Sequence, residues 1–354
     1  MRKIILLLIL GSHEVRAFAA DATELKQVML SHISLSKAAK SPLHAISYPA
    51  SDVTMHLRKV SRHVYYVQGK AGTATENEGF ISNAGVIITA KGVVLFDTLG
   101  TPSLGQQLLK KIRQVTHKPI VKVIISHYHA DHVYGLQVFK DQGAEIIAAK
   151  GVEQYLQSDL AQRRLLERRQ SLKPWVNNST RLISPDHTIA KKTTFTLGGV
   201  RFVLTPVGKN HSPGDLILQV LSDHVMLVGD LMFEQRLPFV VGGDTGKWLH
   251  TLNTINVRHT KVIIPGHGPA SLQPQYAFKD TRAYLTFLRR KMQLAVNNLI
   301  PFDEAYRIDW GQYQDLKAFD EANRQNAYRQ KSEPRPAKQG RMDGFDLRHL
   351  LWPQ

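Results

Sequence analysis

The chain has 354 residues, 43% hydrophobic and 21% charged, the balance of a soluble globular protein long enough to bury a sizeable core. It has no cysteine, which excludes disulfides, thiolate metal ligands and a cysteine nucleophile, so any metal must be held by His, Asp or Glu. The formal net charge is +17, but the basic residues are spread along the chain, which fits a solubilising charge and argues against nucleic acid as a partner.

At the N-terminus, Arg2 and Lys3 precede an apolar run over 4–10, and Ala17-Phe18-Ala19 supplies a small-residue pattern. This reads as a secretory signal peptide over 1–19, with a periplasmic or secreted protein as the consequence. The apolar run is too short to span a bilayer, so no integral membrane anchor is expected. Residues 20–52 read as a leader with a helix over 24–32, then a connector. The main domain is expected over 53–300 and a C-terminal extension, partly flexible, over 301–354.

Strands are predicted over 53–57 and 64–67, then a pair over 79–88 and 93–97 turning through Lys91-Gly92. A helix follows over 104–115, with Leu104, Leu108, Leu109 and Ile112 on one face. The continuous apolar run 120–125 reads as a strand buried on both faces. A helix is expected after His132, then a strand over 145–148. Val152, Leu156, Leu160, Leu165 and Leu166 suggest one amphipathic helix whose solvated face carries Arg163, Arg164, Arg168 and Arg169, a face able to draw anions to a nearby cleft. Hairpins are predicted around Gly198-Gly199, and around Ser222-Asp223-His224 with the second strand closing on Asp230. A helix over 248–255, a strand over 262–264 and a long helix over 277–298 complete the domain. Residues 331–344 read as a flexible connector, and 345–352 as a more apolar segment able to dock on the body. Two sheets, each covered by helices on its outer side, account for this order.

The chemistry concentrates in His127-Tyr128-His129-Ala130-Asp131-His132, a turn that directly follows a buried strand. In open α/β sheets, ligands bind beyond the C-terminal ends of strands. A lone histidine is most often a surface or core residue, but three histidines and an aspartate within six positions are hard to bury without a metal. Imidazole and carboxylate suit Zn²⁺. His211, Asp230 and His267 each follow a predicted strand and so stand to gather at the same edge.

In this order the motifs resemble the metallo-β-lactamase superfamily: a strand-ending Asp97, the His-x-His-x-Asp-His run at 127–132, then His211, Asp230 and His267. The resemblance implies a four-layer αββα sandwich, an α/β fold, and two Zn²⁺ per chain. His127, His129 and His211 would hold the first zinc. Asp131, His132 and His267 would hold the second, with Asp230 bridging and Asp97 orienting a ligand from behind. A metal-bridging hydroxide would then attack an ester, thioester, lactone or amide carbonyl of a small molecule, with Asp131 orienting the nucleophile. Asp230 and the absence of cysteine point away from lactamases and towards glyoxalase II-like hydrolases, most similar to exported ones beside quinoprotein dehydrogenase systems. The alternatives are a mononuclear-iron oxidoreductase resembling persulfide dioxygenases, with iron on His127, His211 and Asp230, and a β-lactamase. Tyr134, Phe233, Arg236 and Trp248, with Phe239 and Trp175, are candidates to touch substrate, although any one aromatic is more often core.

Overall fold

The structure, a computed structural model, describes residues 48–332. The signal peptide, the helix over 24–32 and the apolar segment 345–352 expected from sequence lie outside the described residues. Among the described residues no helix is long and apolar enough to cross a membrane.

The first sheet has seven strands in chain order: β1 (Leu57–Lys59), β2 (Val64–Val67), β3 (Ala84–Thr89), β4 (Gly92–Phe96), β5 (Ile120–Ile124), β6 (Glu145–Ala149) and β7 (His187–Ile189). β1 to β4 pair antiparallel, β1 to β2 and β3 to β4 through short turns and β2 to β3 through the longer segment 68–83. From β4 to β7 the pairing is parallel, which demands crossovers. These are helical: α1 (Pro102–Arg113), then α2 (Ala130–Val133) with α3 (Leu136–Lys140), then α4 (Val152–Leu156) with α5 (Asp159–Ser171). The second sheet is a meander of β8 (Thr193–Leu197), β9 (Val200–Gly208), β10 (Asp215–Val220) and β11 (Val225–Phe233), with β12 (Val262–His267) added parallel to β11. Helix α6 (Thr245–Thr254) makes that crossover. Helices α7 (Lys279–Asn297), α8 (Phe302–Tyr306) and α9 (Phe319–Lys331) follow.

Alternation along the strands sorts the side chains into layers, because successive residues point to opposite faces. Val93 and Leu95 of β4 pack outward with Leu104, Leu108 and Phe139. Val94 and Phe96 point inward, where they meet Phe202, Leu216, Leu218 and Leu227 of the other sheet. On the far side, Met226, Val228 and Ile263 pack against Trp248, Tyr284 and Leu288. The fold is thus the αββα sandwich.

Several elements differ from the sequence expectation. Residues 53–56 form no strand, although Val53 and Met55 are buried in the outer core, and β1 begins at Leu57. The segment 79–83 turns before β3, with Gly79 at φ 83°. The basic stretch is two helices, because Ser158 accepts from Ala161 N–H and starts a new one. That restart buries Ala161 and Leu165 and leaves Leu160 and Leu166 exposed. β11 does not end at Asp230 but continues to Phe233, its register with β12 shifting about Gly229.

Candidate metal centre

The site lies where β5, β11 and β12 run out towards one edge. His127 and His129 follow β5, His129 in extended backbone, and Asp131 and His132 fall in the first turn of α2. His211 sits in the loop between β9 and β10, Asp230 within β11, and His267 at the last position of β12. The ligand atoms form two groups, His127, His129, His211 and Asp230, and then Asp131, His132 and His267. Within each group they lie within 4.8 Å of one another, so each could hold a metal ion.

Distances show how Asp230 joins the groups. Its Oδ2 lies 3.3 Å from His211 Nε2, 3.8 Å from His127 Nε2 and 3.3 Å from His267 Nε2. Its Oδ1 lies 3.2 Å from His132 Nε2. Asp131 Oδ2 is 3.3 Å from His267 Nε2 and 3.5 Å from His132 Nε2. His129 Nδ1 faces His127 Nε2 at 3.0 Å and His211 Nε2 at 2.8 Å. Tetrahedral ligands about 2.0–2.1 Å from zinc stand roughly 3.3 Å apart, close to this spacing. His132 Nε2 and Asp230 Oδ1 are buried, and neither has a well-formed hydrogen bond. Orphaned donors and acceptors of this kind are costly unless a cation satisfies them. The donor set therefore fits zinc.

Burial and mutual charge set the protonation. Burial pushes His127 well below the ordinary imidazole range, His129 down to about 3 and His211 down to about 4. These three rings are neutral at neutral pH, as metal ligands must be. His132 and His267 are buried too, but the Asp230 carboxylate, with Asp131, outweighs desolvation and raises both. Burial would raise Asp131 and Asp230, yet His132 and His267 hold both carboxylates well below the usual range.

Further contacts orient the ligands. Asp97 Oδ2 takes His132 Nδ1 at 2.8 Å and accepts from Ser126 Oγ at 2.7 Å, while its Oδ1 accepts from Ser126 N–H at 2.7 Å. Burial raises the Asp97 carboxyl despite His132 beside it. Ser126 Oγ also contacts His127 Nδ1 at 2.9 Å. His267 Nδ1 donates to Ile81 O at 2.7 Å. Asn83 Nδ2 donates to Pro265 O and Gly268 O, both at 2.8 Å, clamping the turn that carries His267. Asp215 accepts from Ser212 Oγ at 2.5 Å and from Asn210 N–H at 3.0 Å, closing the His211 loop, and burial raises its carboxyl to about 7. Gly229 has φ 53°, and a Cβ there would meet Ser126 Cβ at 2.6 Å.

A cleft of about 320 Å³ opens over the cluster. Phe233, Arg236, Phe239, Tyr128 and Tyr155 line it, with Arg164 and Arg168 of α5 and Glu321 and Gln325 of α9. Of the substrate-contact candidates, Phe233, Arg236 and Phe239 are in this lining. Tyr134 and Trp248 are not: Tyr134 packs in the outer core, and Trp248, fully buried, donates to Leu231 O and sits edge-on to His211. Trp175 donates to Ala50 O, away from the cleft. Sequence reasoning did not single out Ser126, Asn83 or the α9 residues. Ser126 borders the motif and was within reach. Asn83 and α9 carry no local signal, since their partners lie far away in sequence.

The class is settled by comparison as well as by geometry. The metallo-beta-lactamase superfamily profile matches residues 77–267, more than half of the chain. The chain belongs to that superfamily. It is similar to metallo-beta-lactamase IND-1 of Chryseobacterium indologenes, 24% identical over 214 residues, 59% of this chain and 79% of the relative. It is also similar to a Streptococcus pyogenes protein named "probable metallo-hydrolase", 24% identical over 53% of this chain and 80% of the relative. Among solved structures, the sec-alkylsulfatase Pisa1 from Pseudomonas sp. superposes with TM-score 0.62 at 20% identity, over 78% of this chain and 50% of that one. These relatives support a metal-dependent hydrolase.

Proposed function

We propose that the chain is a dinuclear zinc hydrolase acting on an ester, thioester, lactone or amide carbonyl of a small molecule. One observation carries this reading: the Asp230 carboxylate stands between two groups of ligands, reaching His127 and His211 on one side and His132 and His267 on the other. His127, His129 and His211 would hold one ion, Asp131, His132 and His267 the other, with Asp230 shared. Zinc held by these residues would supply an ionised water at neutral pH and a Lewis acid for the carbonyl.

The chain's own residues do the rest. Asp131 is the more exposed of the two carboxylates, its side chain 20% accessible against 4% for Asp230. It faces the cleft and can accept a hydrogen bond from the attacking water, fixing its direction. Asp97 and Ser126 hold His132 and His127 in register, and Phe233 and Phe239 exclude bulk water from the reacting bond. The basic and apolar N-terminus supports action outside the cytoplasm.

Metal analysis of protein purified without added metal tests the reading. Zinc near two equivalents is expected, with hydrolysis across a thioester, lactone and β-lactam panel lost to a chelator and restored by zinc. Iron near one equivalent without hydrolysis, or hydrolysis that survives chelation, overturns it.

A further inference from the structure

The cleft carries a cation that, among the described residues, has no partner. Arg164 and Arg168 stand four residues apart on α5, hence on one helix face, and both line the cleft. Arg164 is paired with Glu167 at 3.0 Å. Arg168 is half-buried, and among the described residues no carboxylate or carbonyl meets its guanidinium. A guanidinium that faces a cleft with its fork unengaged is free to pair with an anion that enters. Arg236, on the His267 side, differs, because it donates to Gly72 O at 2.8 Å.

Aromatic side chains share the cleft lining with Arg168 and the His/Asp cluster. Tyr155 stacks on Tyr128 with ring centroids 3.6 Å apart, and Tyr128 stands edge-on to His129 at 5.0 Å. Phe239 approaches His129 from elsewhere in the lining, at 6.1 Å. The lining thus offers a cation, aromatic side chains and the His/Asp cluster within one cleft.

We propose that Arg168 binds an oxyanion on the substrate, so that the chain acts on small acyl compounds carrying a carboxylate or sulfonate separated from the scissile carbonyl by an apolar segment. This rests on the hydrolase reading above. The guanidinium fork pairs with either oxyanion through charge-assisted hydrogen bonds.

The test uses matched thioesters that end in a carboxylate, a sulfonate or a neutral methyl ester. With zinc-loaded protein, KM for both anionic substrates is expected about tenfold below that of the neutral one, the low end for hydrogen bonds to a charged group. In Arg168→Gln the ratio should fall towards one at wild-type zinc content, and Arg168→Lys should restore part of it. A preference for only one anionic arm tells which oxyanion the site takes. A ratio unchanged in Arg168→Gln, or erased by Arg236→Gln alone, overturns the proposal. Equilibrium binding separates this from failure of the hydrolase reading. If no thioester is cleaved, calorimetry with 4-phenylbutanoate and 4-phenylbutanamide still decides. Preference for the acid that disappears in Arg168→Gln supports the anion site, and preference that persists there belongs to the metals and sinks it.

Discussion

Asp97 shows how a residue that reaches no substrate shapes the centre. It is buried, has φ 63°, and spends both oxygens on Ser126 and His132. A ligand imidazole held from behind keeps its tautomer and its direction. Asp97→Asn retains the shape and tolerates the left-handed backbone, since asparagine visits that region readily. It removes the charge that holds the His132 Nδ1 proton. Zinc affinity, read by competition with a chromogenic chelator, is expected to fall about tenfold or more. An unchanged affinity would remove Asp97 from the positioning role. Gly266 has the opposite kind of importance, because a Cβ there would overlap Asp230 Oδ1. The ligands in 127–132 were legible from sequence because contiguity alone brings them together. Tyr134 and Trp248 were legible only as aromatics, and burial rather than residue type decides whether an aromatic meets a ligand.

Helix α9 builds part of the cleft from outside the profile-matched region. Asn326, fully buried, donates to Pro238 O at 2.7 Å and accepts from Val240 N–H at 2.9 Å, gripping the chain on both sides of Phe239. It also donates to Tyr284 OH at 2.8 Å, which in turn donates to Asn323 Oδ1 at 2.9 Å. Asn326→Ala leaves the Val240 N–H and Pro238 carbonyl buried without partners, at a cost of about 1–3 kcal/mol each if neither relaxes. A lower melting temperature is expected, together with a rise in KM larger than any fall in kcat, because Phe239 is loosened while the metal ligands are not touched. Equal falls in kcat and in zinc content would show instead that α9 supports the centre itself. The sequence did not announce this helix. Its buried face is built from Ala322, Asn323, Asn326 and Ala327, so it has no apolar stripe to read. β11 was similarly cut short at Asp230, because a carboxylate in mid-strand looks like an end until its partners are known.

Across the whole molecule, the ligands divide between the sheets. His127, His129, Asp131 and His132 follow β5 of the first, while His211, Asp230 and His267 belong to the second. Metal held by these seven side chains would tie the two sheets together and would bind only where both are folded. Linkage then requires zinc to raise the melting temperature, by an increment equivalent to about 2.7 kcal/mol at a hundredfold excess over Kd. Calorimetry of zinc-loaded and chelator-stripped protein reads this directly. Equal melting temperatures, with zinc release verified, would mean that the ions do not bridge the sheets. Layer order and the identity of the chemically active side chains are local facts. Period-two alternation, continuous apolar strands and a dense His/Asp turn write them into short stretches of the chain. Convergence is different in kind. Which carboxylate stands between the two ligand groups, which cleft arginine has no partner among the described residues, and which helix walls the cleft depend on contacts between residues tens to hundreds of positions apart. Only the packed sandwich decides them.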